Sequence, residues 1–196
     1  MLILIRKAVI NMCLKSGENL NDDTNQTVEA SENAGMNEQD KIALDKIGKL
    51  QGAQFQHCEM TETAGTELFR LQVGSHGGSS VFFNRNGTDC RYSLNDGVNG
   101  SMYLARTPDT AMKEVFQHKK GLRESDLDNY IMGKVIIEKD IRVLQVSKLI
   151  KSSDLTLHEL TTATRAVTQL LAEKVHSAGF GGMEFPSNVT GDPCLV

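Results

Sequence analysis

Between Ser16 and Asp40 the chain carries almost no large apolar side chain, and this stretch decides where a fold can be built. Asn, Asp, Glu, Ser and Thr dominate it, so it cannot bury enough apolar surface to offset the entropy lost on ordering. It reads as a flexible linker. It divides the chain into an N-terminal segment over 1–60, partly disordered, and a folded unit over 61–196. The opening run from Met1 to Ile10 is apolar but broken by Arg6 and Lys7. It falls short of the roughly 20 apolar residues that span a bilayer, and its charges sit inside the run, unlike those of a signal peptide. No membrane association is expected. The spacing of Ile42, Leu44, Ile47 and Leu50 predicts a short amphipathic helix before Gly52.

The later part reads as strands mixed with helices. Leu68 to Val73 has strand character and leads into a Gly/Ser-rich loop through Ser80, with Val81 to Phe83 as a second strand. Residues 84–99 are rich in turn formers. Met102 to Ala105 is a short strand in which Tyr103 faces away from Met102 and Leu104. Thr107 then caps a helix, Pro108 suits its first position, and Asp109 favours the positive end of the dipole. Ala111, Met112, Val115 and Phe116 form its apolar face, and Glu114 lies on the border, roughly 60° around the axis from Ala111.

Met132 to Ile137 and Ile141 to Val146 read as two strands joined in a hairpin through Glu138 and Asp140. Thr156 and Glu159 form a capping box that starts a long helix ending near Gly179, with Leu160, Val167, Leu170, Leu171 and Val175 buried. Gly182 to Phe185 is a last strand before Pro186 and Ser187. Mixed or antiparallel strands with two main helices define an α+β fold. No G-x-G-x-x-G or Walker loop is present, which excludes a Rossmann or P-loop site on pattern.

The net charge is −4, from 21 basic and 25 acidic side chains, so no basic face for nucleic acid is indicated. Cys13, Cys58, Cys90 and Cys194 form no Cys-x-x-Cys pair and read as reduced thiols rather than a disulfide framework. The five histidines are dispersed, and no metal site is expected.

Four features stand in order: Arg70 in an early strand; Arg91-Tyr92-Ser93 in a turn; the run from Gly100 to Phe116 holding Tyr103 and Glu114; and Gly179 to Ser187, with Gly181, Gly182, Phe185 and Pro186. This order resembles the RES domain family over roughly residues 66–190. Asp89 and Cys90 stand where the family has glycines before its Arg, and Gln145-Val146 where an Asp-Leu pair is usual.

The resemblance implies a compact fold similar to ADP-ribosyltransferase toxins and an enzyme that uses NAD as substrate, without a metal. It implies a bacterial toxin or secreted effector that cleaves the nicotinamide–ribose bond as a glycohydrolase or phosphorylase. ADP-ribosyl transfer to a protein or nucleic acid is the second reading, and a catalytically silent binding module the third. An antitoxin or immunity protein is the implied partner. The implied place of action is the bacterial cytoplasm, reached from within or through a secretion system.

Cleavage of the nicotinamide bond builds positive charge on the ribose, and a carboxylate beside it stabilises that charge. Glu114 is the candidate. Tyr103 offers an aromatic face for nicotinamide and a hydroxyl for local bonding. Arg70 and Arg91 match a diphosphate with planar donor forks, and Ser187 is positioned to bond the nicotinamide ribose. Taken singly, each of these reads as an ordinary surface or turn residue; only their order lifts them. Arg85, Arg106 and Glu184 are assigned structural roles.

Overall fold

The computed structural model describes residues 36–73, 83, 90–94 and 96–196. Helix α1 (Glu38–Lys49) starts where Asn37 caps it, its Oδ1 accepting the Asp40 amide at 2.8 Å. Acidic residues in the first turn and lysines in the last suit the helix dipole. Ile47 and Leu50 are buried and Leu44 packs against the same core, as their spacing predicts, whereas Ile42 is exposed and Ala43 and Asp40 face inward. Helix α2 (Gly52–His57) buries Phe55 and leads into strand β1 (Glu59–Glu62).

β1 is one edge of a seven-stranded sheet. The others are β2 (Glu67–Val73), β3 (Leu104–Ala105), β4 (Tyr130–Ile136), β5 (Ile141–Gln145), β6 (Gly182–Pro186) and β7 (Pro193–Leu195), in the order β1-β5-β6-β7-β3-β2-β4. Every pairing is antiparallel except β5 with β6. That parallel step needs a crossover, made by α5 (Val146–Ser152), α6 (Leu157–Leu160) and α7 (Arg165–Ser177). Helix α3 (Pro108–Phe116) follows β3, and a single turn α4 (Glu124–Leu127) precedes β4. The expected α+β class stands.

Several local expectations change. β4 and β5 are not a hairpin: β4 pairs with β2 at one edge, and β5 lies between β1 and β6. Alternation reports which face a residue takes and carries no information about the partner strand. Val146 opens α5 instead of ending a strand. The single helix expected from Thr156 to Gly179 breaks at 161–164, because Thr162 and Thr164 give their hydroxyls to the buried Asp40 carboxylate of α1. The capping box of Thr156 and Glu159 forms as expected. Residues 81–82 of the strand expected at 81–83 lie outside the described residues, and Phe83 is not in a strand.

Ile47 and Phe55 from the N-terminal helices pack with Leu144, Leu149, Leu160, Leu171 and Met183 in one buried cluster. On the opposite sheet face Leu68, Leu104, Val135, Val143 and Leu195 form a second. The segment from Asn37 to Glu62 is thus built into the same core, and the expected boundary near residue 60 falls inside it. Two glycines of the last motif have steric causes. Gly179, at φ +85°, ends α7 in the left-handed region. At Gly182 a Cβ would meet the Val196 carbonyl oxygen at 2.6 Å.

Arg106, just after β3, reaches carboxylates of β1 and β6, which lie on the same side of β3 in the sheet order. It donates to both carboxylate oxygens of Glu62 at 2.7 and 2.6 Å and to Glu184 at 2.7 Å. This holds the guanidinium above its usual range, chiefly through Glu62. Arg106 and Glu184 therefore take structural positions, while Arg85 lies outside the described residues. Cys58 and Cys194 are buried free thiols, as expected, whereas Cys90 is disulfide-bonded, against the expectation of a reduced thiol, and Cys13 lies outside the described residues. No helix among the described residues is long and apolar enough to cross a membrane.

Candidate functional site

The strand register aligns Phe69, Ala105, Cys194 and Phe185 side by side across β2, β3, β7 and β6. All four line one cavity of about 610 Å³, of which they make the floor. That volume suits a small-molecule site. The first turns of α3 bring Ala111 and Glu114 to one wall, and the turn at Arg91 and the start of α7 supply the other charged lining. Arg70, Arg91, Tyr103 and Glu114, which lie far apart in the chain, all border this cavity.

Glu114 is held by the loop between β6 and β7. The Ser187 hydroxyl donates to its Oε1 and accepts the amides of Val189 at 3.1 Å and Thr190 at 3.0 Å. One turn earlier on the same face of α3, Thr110 donates to Asp192 at 2.8 Å. Two side-chain bonds thus fasten α3 to one loop. Ser187 is buried, and its hydroxyl is committed to Glu114 and the loop backbone. The sequence pattern suggests the ligand's ribose as the partner of this hydroxyl; the structure gives it to the carboxylate.

Tyr103 meets Phe185 edge-on, with ring centres 6.1 Å apart and planes at 79°. Its hydroxyl is buried without a hydrogen bond, as is that of Ser93 beside it, the two lying close without the geometry of a bond. Burial pushes the phenol well above its ordinary range, against the pull of the Arg165 and Arg91 charges. An unpaired buried hydroxyl costs stability unless a ligand or water meets it.

Tyr92 sits at φ +53°, in the region that β-carbons disfavour. It is retained by a bond from its hydroxyl to the Leu160 carbonyl at 2.7 Å and by ring packing on Phe185 at 5.0 Å. Burial lifts its hydroxyl to about 12. This anchor fixes the turn that brings Arg91 to the cavity. Arg70 is mostly buried, its Nη1 has no partner among the described residues, and desolvation pulls its guanidinium down to about 10. Such a cation is stabilised by any anion that reaches it.

Sequence reasoning misses Phe185 as an aromatic floor residue, Cys194, and Arg165 at the start of α7. Phe185 is visible in the sequence as part of the Ser187 motif but without a role at the site; the other two carry no local signal, since register and helix docking bring them to the cavity. Burial first, and then the Glu114 charge, push the Cys194 thiol up to about 12. Among the described residues no group of three or more His, Cys, Asp or Glu side chains is placed to hold a metal ion.

Comparison with known proteins identifies the family and the fold. The model of the RES domain family matches residues 69–196, well over half of the chain. No curated protein sequence matches. Among solved structures, a chain of the crystal structure of the M. tuberculosis MbcT–MbcA toxin–antitoxin complex has the same fold. It superposes with a TM-score of 0.57 at 14% identity, over 74% of this chain and 79% of that one.

Proposed function

The chain belongs to the RES domain family, and from that premise we propose that it is a toxin enzyme that binds NAD and cleaves its nicotinamide–ribose bond. The observation that carries the reading is the composition of the cavity. Among the described residues, three arginines without ion-pair partners, Arg70, Arg91 and Arg165, border it together with a single carboxylate, Glu114, and the rings of Phe69, Tyr92, Tyr103 and Phe185. Guanidinium forks suit a diphosphate, rings suit nicotinamide, and a fixed carboxylate suits a ribose that becomes cationic.

In the reaction the C1′–N bond breaks and its electron pair leaves with nicotinamide. Positive charge then spreads over C1′ and the ribose ring oxygen. Glu114, oriented by Ser187, stabilises that charge more than it stabilises the ground state, which is the requirement for lowering the barrier. Water attacks C1′ and loses its proton to solvent, giving ADP-ribose; phosphate in place of water gives the 1″-phosphate. Attack by a group on a macromolecule would instead transfer ADP-ribose, and the cavity residues do not distinguish these acceptors. A toxin of this kind calls for a neutralising partner in the cell that makes it. The toxin–antitoxin assembly of the structural neighbour supports an antitoxin in that role, with action in the bacterial cytoplasm where NAD is abundant.

Purified protein incubated with NAD should release nicotinamide and ADP-ribose, read by chromatography, with and without phosphate and cell lysate. Label recovered in macromolecules would favour transfer. Intact NAD under all three conditions would overturn the reading.

A further inference from the structure

Arg165 is the first residue of α7 and borders the cavity, and its side chain forms no hydrogen bond or ion pair among the described residues. Other arginines of this chain are used differently: Arg106 is paired with Glu62 and Glu184, and Arg142 with Glu59. Arg165 and Arg91 line the same cavity, and the charges of both reach the hydroxyl of Tyr103. Among the described residues the only carboxylate lining the cavity is Glu114, on α3, and its hydrogen bond goes to Ser187. Two guanidinium groups that border one cavity without ion-pair partners among the described residues, in a chain whose net charge is −4, make a local receptor for an anion.

The position of Arg165 is set from outside the family match. Residues 161–164 leave the helical path, and their Thr162 and Thr164 hydroxyls donate to the buried carboxylate of Asp40, the former at 2.8 Å. Thr164 precedes α7 and gives its side chain to Asp40 instead of capping the helix. Nearby, Lys46 pairs with Glu159 at 2.6 Å, and Lys174 donates to the carbonyls of Gly48 and Leu50. Helix α1 is therefore docked along the segment from α6 to α7, and Asp40 fastens the short stretch that carries Ala163 and Arg165 to the cavity.

We propose that Arg165 is a binding residue for the diphosphate of the dinucleotide, working with Arg91, and that Asp40 is its positioning residue. The inference rests on the NAD reading above and deepens it. The N-terminal helix thereby becomes part of the ligand site, although no residue of it touches the cavity.

The test measures binding of ADP-ribose by calorimetry together with the KM and kcat of nicotinamide release. It uses the full chain and the variants Arg165→Gln, Arg91→Gln and Asp40→Asn, with Thr164→Val as a milder break of the same clamp. Losing one charge-assisted pair of bonds to phosphate should weaken ADP-ribose binding by roughly 10- to 100-fold in Arg165→Gln. KM should rise in proportion, with kcat much less affected. Asp40→Asn and Thr164→Val should weaken binding by a smaller factor that disappears in the Arg165→Gln background, because Asp40 acts through Arg165. A purely structural role for Asp40 would lower stability equally in both backgrounds and leave no such coupling in binding. Unchanged ADP-ribose affinity in Arg165→Gln, with the wild type binding and cleaving normally, overturns the inference alone. A wild type that neither binds ADP-ribose nor releases nicotinamide overturns the NAD reading and this inference with it.

Discussion

Replacing Glu114 with Gln separates charge from shape at the centre of the site. The amide oxygen can still accept the Ser187 hydroxyl, so the loop between β6 and β7 keeps its attachment to α3. What is lost is the difference between a charge-assisted and a neutral hydrogen bond, about 1 kcal/mol. For a chain of this size that lowers Tm by about 2–4 °C. The catalytic loss is larger. The carboxylate faces positive charge that exists mainly in the transition state, and removing one such preorganised group costs about 2.7–4 kcal/mol, or roughly 10²–10³ in kcat. ADP-ribose carries no cationic ribose, so its binding should change little. The assay is nicotinamide release under saturating NAD, with ADP-ribose titration and a melting curve on the same preparation. A folded Glu114→Gln protein within about threefold of wild-type kcat would refute the assignment, since the charge would then have no role in the barrier.

Ser187→Ala removes the donor that orients Glu114 and the acceptor of two loop amides. Stability should fall by about 1–2 kcal/mol, and kcat by roughly 10- to 100-fold, with Ser187→Thr recovering part of the rate; full activity in Ser187→Ala would mean that the loop positions Glu114 without it. A chain beginning at Gly65 loses α1, α2 and β1, and with them Ile47, Phe55 and the Glu62 partner of Arg106. It should be aggregation-prone or molten by circular dichroism, and a cooperative, wild-type-like melt would show that 38–62 is an accessory. Cys194 lines the cavity, but its thiol is pushed up to about 12. With the folded value above the unfolded one, the thiol form is retained through neutral and mildly alkaline pH; this contribution to stability is fully present below the unfolded value of 9.0 and is lost progressively as pH rises from there through about 12. Iodoacetamide at pH 8 should therefore leave Cys194 unmodified until the protein is denatured; rapid labelling of the native protein would contradict that.

Much of the site is legible in the sequence because its chemistry is encoded in local signals. Thr107 and Pro108 specify where α3 begins, and counting from there sets Glu114 on the border of its buried face. The Arg91-Tyr92-Ser93 turn, the Tyr103 strand and the glycine-bounded approach to Ser187 are each recognisable from residue type and order. Helix caps and turn residues act over a few positions, so sequence reports them well.

Local character misleads most at the end of the polar stretch. Its last residues, Asn37 to Asp40, are polar like the rest, yet they cap and open a helix whose Asp40 is buried. A buried carboxylate becomes tolerable only once Thr162 and Thr164 donate to it, more than a hundred residues later in the chain.

Composition, caps and motif order by themselves determined the α+β class, the family and the candidates Arg70, Arg91, Tyr103, Glu114 and Ser187. Tertiary structure alone decided that β4 and β5 do not pair, that the Ser187 hydroxyl bonds Glu114, and that Arg165 joins the cavity. Local signals depend on backbone preferences within a few residues, whereas strand partners, hydroxyl partners and cavity walls depend on which distant surfaces can be buried together. That choice is made by the whole core at once.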